Sequence, residues 1–278
     1  MRTTIAIVLS MLAAGAARGG ILAYEPFDGP DAALLGSGKG AKGWSAEGWT
    51  IQASNLSFRV DASASLAYVQ GGRALQTAGG RARGGGFSNC GRDLDALAAT
   101  IRRGVFAPYH KTIVSPRGRP EPTIGKEGTT LWVSWVALPL LDVEGRVFSL
   151  HHPAGKLPPW MFRDHLSYID VAVLDGVWTL DANGASMPTD IPEDYDRPTL
   201  FVLKIEFREA GDMVSLWINP PLGAEDPGPP AAMAAPKKDV CFRCFRLHPG
   251  KVPDAEEWDE IRVGETYADV TPAGPGVP

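Results

Sequence analysis

At 278 residues, 44% hydrophobic and 21% charged, the chain holds enough apolar side chains for one large domain or two small ones, which excludes a disordered or acidic-tail protein. A formal charge of −5 removes phosphate attraction as a basis for nucleic-acid binding. The 32 glycines and 24 prolines make up a fifth of the chain, against a usual ~12%, and without a collagen-like period that excess means many turns.

At the N-terminus, Arg2 precedes an uncharged, mostly apolar run over 5–17, and Ala14-Gly15-Ala16 offers an A-x-A cleavage site. That order predicts a secretory leader over 1–19. The run is too short for a membrane span, which takes roughly 20 apolar residues, and no later segment comes close. With no cysteine before Cys90, a lipid anchor on an N-terminal thiol is not expected. The expectation is an exported body over 20–271 and a flexible tail over 272–278.

From Ile21 onward, short apolar runs broken by Gly, Pro, Asn and Asp predict strands and turns. Residues 93–103 break the pattern, with Leu94, Leu97, Ala98 and Ile101 at helical spacing, and predict one short surface helix. The segment 131–138 is apolar at nearly every position, as in a central strand covered on both faces. Residues 168–174 and 177–180 flank Asp175-Gly176 and predict a hairpin. So do 200–207 and 213–219, joined by five residues carrying Gly211 and Asp212. Residues 239–247 read as a strand, which would point Cys241 and Cys244 to opposite faces and argues against a redox or zinc pair. The cysteines are then buried thiols or, with Cys90, one disulfide. Adjacent His151 and His152 face opposite ways in a strand and do not share a metal. Many strands and little helix indicate an all-β sandwich or jelly roll.

Residues 21–28 (ILAYEPFD), 128–135, 203–207, 214–220 and 258–266 (WDEIRVGET), taken in order, resemble secreted bacterial concanavalin A-like proteins of the LamG type. Residues 21–28 (ILAYEPFD), with Gly43-Trp44 and Gly48-Trp49, are similar to their first strand and hairpin. Residues 128–135 are similar to their central strand, 203–207 with 214–220 to a late hairpin, and 258–266 (WDEIRVGET) to their closing strand. The resemblance implies a concanavalin A-like jelly-roll sandwich of two antiparallel sheets whose first and last strands pair. Only 148–164 departs from the pattern, around Lys156-Leu157-Pro158-Pro159-Trp160. Such folds host lectins, glycanases and adhesion modules, so the fold alone does not settle function.

Glycoside hydrolysis needs two carboxylates flanking a sugar bond. Glucanases of this resemblance place them on one strand as E-x-D-x-E. The nearest string, Glu257-Trp258-Asp259-Glu260, continues to Ile261 on that face, and Glu193-Asp194-Tyr195-Asp196 lies in a loop, so no catalytic residue is assigned. Asp259, taken as sharing an inward face with Ile261 and Val263, needs backbone N–H groups, an Arg or a cation as partner. The resemblance implies a structural Ca²⁺ where the last strand meets the first, with Glu25, Asp28 and Asp259 as ligands. Among the tryptophans, Trp132, Trp135 and Trp217 read as packing, whereas Trp44, Trp160 and Trp178 are the candidate glycan contacts. The functional expectation is a non-catalytic module binding carbohydrate or another cell-surface polymer, with a glucanase-type hydrolase and a purely structural envelope module as alternatives.

Overall fold

The computed structural model describes residues 20–29, 32–33, 38, 42–46, 48–51, 58–85, 90–94, 104–115, 118–141, 144–153, 165–248 and 254–274. In chain order the strands are β1 (Ile21–Glu25), β2 (Ala32–Ala33), β3 (Thr50–Ile51), β4 (Arg59–Asp61), β5 (Val69–Gln70), β6 (Arg73–Ala74) and β7 (Arg81–Gly84). Then come β8 (Cys90–Asp93), β9 (His110–Val114), β10 (Pro120–Ile124), β11 (Thr129–Pro139), β12 (Gly145–Pro153), β13 (His165–Leu174) and β14 (Val177–Ala182). The last are β15 (Ala185–Pro192), β16 (Thr199–Phe207), β17 (Met213–Ile218), β18 (Ala232–Ala234), β19 (Cys244–Leu247) and β20 (Glu256–Gly264), followed by one α-helix, α1 (Tyr267–Val270).

The protein is all-β. A nine-stranded sheet runs β18-β17-β16-β11-β20-β7-β4-β2, with β1 attached to β20, and a seven-stranded sheet runs β15-β14-β13-β12-β19-β8-β3. Pairing is antiparallel in both. First and last strands lie side by side, with Tyr24 opposite Arg262 and Glu25 opposite Ile261. The local turn signals hold: Asp175 and Gly176 take φ of 53° and 75°, the left-handed pair that a two-residue hairpin demands.

Alternation along β11 explains the layering. Leu131, Val133, Trp135 and Ala137 face the other sheet, where Trp135 stacks on Phe148 at 3.8 Å; Phe201, its neighbour on β16 of the same sheet, stacks beside it at 5.1 Å. Phe148, Leu150, Val171, Leu180 and Phe245 supply the opposite side of this core. Each large apolar side chain so buried contributes roughly 1.5–3 kcal/mol. The even positions Trp132, Val136 and Leu138 face outward into a second cluster with Leu66, Tyr68, Leu75, Leu200, Val202, Tyr267 and Val270. A strap over 62–80, carrying the β5–β6 ribbon, and α1 cover that outer face.

β20 fastens the strap. Its pairing with β11 slips between Ser134 opposite Arg262 and Val136 opposite Asp259, so one extra residue bulges out. Glu260 takes a φ of 58° there. The bulge reverses the alternation: Trp258, Ile261 and Val263 all enter the core. Asp259 therefore does not share a face with Ile261 and Val263, as simple alternation would have it. Its carboxyl oxygens accept from Leu66 N at 2.8 Å and Glu260 N at 2.7 Å. Glu260 accepts from Ala78 N at 2.7 Å and Tyr24 Oη at 2.8 Å, and Arg262 bonds Glu260 and the Gln76 carbonyl.

Three other expectations change. Of the helix expected over 93–103, Asp93 closes β8 and Leu94 bridges Trp44, because Leu94 N bonds Arg243 O at 2.8 Å and continues the sheet; 95–103 lie outside the described residues. Among the described residues the α-helix is α1, closed by a reciprocal cap between Thr266 and Asp269. The strand expected over 239–247 narrows to β19, since Phe242 pairs with Ile124 of the β9–β10 ribbon instead. Of the tail expected over 272–278, Pro272 and Gly274 are bonded to the strap, Pro272 O accepting from Gln76 N and Gly274 N donating to Ala74 O, both at 2.8 Å; 275–278 lie outside the described residues.

The bulge carries a pH signature. Burial, then the neighbouring Glu260, raises the Asp259 pKa from 3.8 to about 9. Folding thus tightens this group's hold on its proton. The resulting stabilisation is complete below about pH 4 and is lost as pH climbs through about 9. Thermal melting of Asp259→Asn beside the wild type is expected to show a wild-type advantage that shrinks from pH 5 to pH 9; a constant difference would contradict this account.

Candidate functional site on the outer face of the seven-stranded sheet

Register aligns polar side chains across this sheet. Asp181 on β14 lies opposite Asp170 on β13, Asp170 opposite Ser149 on β12, and Ser149 opposite Arg246 on β19. Two residues along, Tyr168, His151, Cys244 and Asp93 make a parallel row. Their alternates Phe148, Leu150, Ile169 and Phe245 fill the core, so both rows lie on the outer face. A β-bulge at Val147 leaves Arg146 on that face beside Asp170.

The floor is buried and closely bonded. Arg146 Nε donates to Asp170 Oδ2 at 2.5 Å, and Ser149 Oγ lies 2.8 Å from His248 Nε2. His151 Nε2 lies 2.9 Å from Cys244 Sγ. Arg146, Ser149, His151, Asp170, Arg246 and His248 enclose about 10 Å³, room for about one water. The rim is accessible: the Arg146 side chain is 51% exposed, and Tyr168, Asp181 and His248 are partly so. Burial raises the Asp170 pKa; Arg146 and Ser149 pull it back, and Asp181 adds to the rise. Burial also lowers Arg246 and raises Cys244, the latter aided by Asp93. The face thus presents donors and acceptors in fixed positions on rigid strands.

His152, one residue on, faces the other way, as alternation requires. Its Nδ1 lies 3.1 Å from Thr123 Oγ1 and its Nε2 3.1 Å from Glu121 Oε2, and burial followed by Arg243 lowers its pKa to about 4. A neutral imidazole buried between two partners ties the β9–β10 ribbon to the sandwich.

The expected ligand residues sit elsewhere. Trp44 is 4% exposed, with Nε1 donating to Tyr24 O at 3.0 Å, its ring edge-on to Phe245 and Arg92 above it. Trp178 is 1% exposed and packs edge-on against Phe201. Neither ring is available for stacking, and both serve the core. Trp160 lies outside the described residues.

The expected calcium ligands do not converge. Glu25 accepts from Trp49 Nε1 and Phe27 N, each at 2.9 Å, and pairs with Arg92. Asp259 has its two backbone donors, and Asp28 is exposed in the loop after β1. Backbone N–H groups thus satisfy the Asp259 carboxyl oxygens. Among the described residues no group of three or more His, Cys, Asp or Glu side chains is placed to hold a metal, so these residues do not fit the ion.

No protein-family model and no curated protein matches the chain. Similar solved structures include the exoplasmic/lumenal domain of VIP36 in a Ca²⁺- and mannose-bound form, at 10% identity over 92% of this chain and 98% of that one, with a TM-score of 0.39. The carbohydrate binding module CBM66 from Bacillus subtilis is 10% identical over 78% of this chain and 92% of its own, with a TM-score of 0.32. A bifunctional GH43-CE protein of Bacteroides eggerthii is 10% identical over 88% of this chain, with a TM-score of 0.37, and this chain spans 28% of its length. Likenesses this distant carry no inference about ligand; that rests on the residues.

The signal for the polar rows was present in the alternation of Ser149 and His151, and of Tyr168 and Asp170, but only strand pairing joins them, and only the bulge at Val147 brings Arg146 to their face. All three cysteines are free and buried. Desolvation raises each thiol's pKa, so a thiol-reactive dye is expected to label none rapidly in the native protein and all three after unfolding; a rapid native reaction would contradict the described burial.

Proposed function

We propose that this protein is an exported, non-catalytic β-sandwich module that binds glycan or another extracellular polymer on the outer face of its seven-stranded sheet. In this reading 1–19 are the export leader and the sandwich is the working body. The observation that carries it is the row Asp181, Asp170, Ser149, Arg246, edged by Arg146, Tyr168 and His248. Carboxylates accept and guanidinium groups donate, so one polyhydroxylated chain lying across the strands meets both kinds of partner. No helix among the described residues is long and apolar enough to cross a membrane.

One observation favours a hydrolase as second reading. Asp170 and Asp181 are direct cross-strand partners, a relation that sets Cβ atoms ~4.5–5.5 Å apart, and burial favours the protonated form of Asp170. Against it, Asp170 is spoken for by Arg146 and Ser149, whereas a general acid must reach a leaving oxygen.

A glycan array followed by reducing-sugar release on each bound glycan separates the readings. Binding without release is expected, and Arg146→Ala, which removes an accessible donor, is expected to weaken it at least tenfold. Release with turnover that is lost in Asp170→Asn would replace the first reading with the second.

A further inference from the structure

Gly20 sits against the end of the last strand. Ile21, at the head of β1, stands opposite Gly264 at the foot of β20, so the antiparallel register carries Gly20 beside Glu265. Gly20 N lies 3.1 Å from Glu265 Oε2, and Tyr109 Oη donates to Glu265 Oε1 at 2.9 Å. Lys42 Nζ donates to the Ile21 carbonyl at 2.6 Å and fixes the next residue. Tyr109 is buried. Burial, then the bond to Glu265 and the charges of Glu265 and Asp269, raises its phenol pKa and keeps it a donor. One Glu265 oxygen is thus held by a fixed phenol while the other faces the Gly20 nitrogen.

We propose that the chain is processed between Gly19 and Gly20 and that the freed α-ammonium of Gly20 is captured by Glu265. The inference rests on the export reading above and adds the bond that is cut and the group that receives the new terminus. Ala17 and Gly19 stand three and one positions before the cut, the small-residue spacing that a signal peptidase reads. Ala14 and Ala16 offer the same spacing three residues earlier. The fold distinguishes the two products. A cut after Ala16 leaves Ala17-Arg18-Gly19 ahead of a neutral amide at Gly20, whereas a cut after Gly19 sets a full positive charge beside the Glu265 carboxylate. Hydrolysis breaks the Gly19–Gly20 C–N bond. The oxygen of water goes to the Gly19 carbonyl, which leaves as a carboxylate, and both protons go to the Gly20 nitrogen, which becomes an ammonium. A charge-assisted bond of this kind is roughly twice as strong as a neutral one. It fastens the free end of β1 to the end of β20, with Tyr109 as the residue that positions the carboxylate.

The full chain, expressed with its own leader in a secreting bacterium, is weighed by mass spectrometry after export, and its α-amino group is titrated by NMR at the Gly20 nitrogen. The expected result is a mass that begins at Gly20 and an α-amino pKa above the ordinary ~7.7–8.0. Glu265→Gln, a substitution at an exposed position, is expected to return it to that range. Tyr109→Phe, which leaves the carboxylate charged but unanchored, is expected to lower it part of the way. Failure to export, or retention of 1–19, overturns the export reading and this inference with it. An exported protein that begins at Ala17 overturns this inference alone, as does one that begins at Gly20 with an α-amino pKa that Glu265→Gln leaves unchanged.

Discussion

The architecture turns on the extra residue in β20. That strand pairs with β11 along one side, and along the other with β7 in its first half and β1 in its second. A continuous alternation would have sent either Trp258 or the pair Ile261 and Val263 out of the core. Placing Glu260 in the left-handed region keeps all three inside and collects Asp259, Glu260 and Arg262 on the outer side. A bulky residue there costs on the order of 1–3 kcal/mol. The backbone groups of Leu66, Gln76 and Ala78 offset it by docking on those same three side chains.

This economy explains why the charged groups stand where they do. An unpartnered buried polar or charged group is costly, and Asp259, Glu260 and Arg262 at the bulge each have a fixed donor or acceptor. The strap gains order from the charges and supplies Leu66, Tyr68 and Leu75 to cover Val136, Leu200 and Val202. The same logic holds at the far edge, where Glu25 and Arg92 pair under Trp44 and Trp49. Buried pairs of this kind add little net stability, but breaking one by removing a partner costs about 3–5 kcal/mol.

What the sequence revealed follows from the range of the forces involved. The hairpins β13–β14 and β16–β17 were legible because their turns lie within a few residues of the strands they join. The pairing of β1 with β20 was legible through the resemblance alone, since nothing local links Tyr24 to Arg262. The face of Asp259 was not legible, because a bulge flips the phase and its residue, Glu260, is not the glycine that commonly marks one. Tryptophan exposure failed for a related reason: Trp44 follows a glycine in what reads as a turn, yet Arg92 and Phe245 close over it from strands far along the chain. Trp132 read as packing and packs, though against Trp217 and Tyr267 on the outer face rather than between the sheets. The short α1 helix left a usable sign, Thr266 three residues before Asp269.

The outer faces of the two sheets differ in how firmly their polar groups are held. On the seven-stranded sheet the polar groups are already bonded to one another, so a ligand must replace the Arg146–Asp170 or Ser149–His248 contact with one of equal quality. On the nine-stranded sheet the Lys204–Glu206–Arg208 set is half solvated, and its exposed ion pairs are worth little alone, commonly under ~1 kcal/mol. Rearranging them around hydroxyls costs correspondingly little. Selectivity therefore favours the polar rows, where a wrong hydroxyl leaves a buried donor or acceptor unmet.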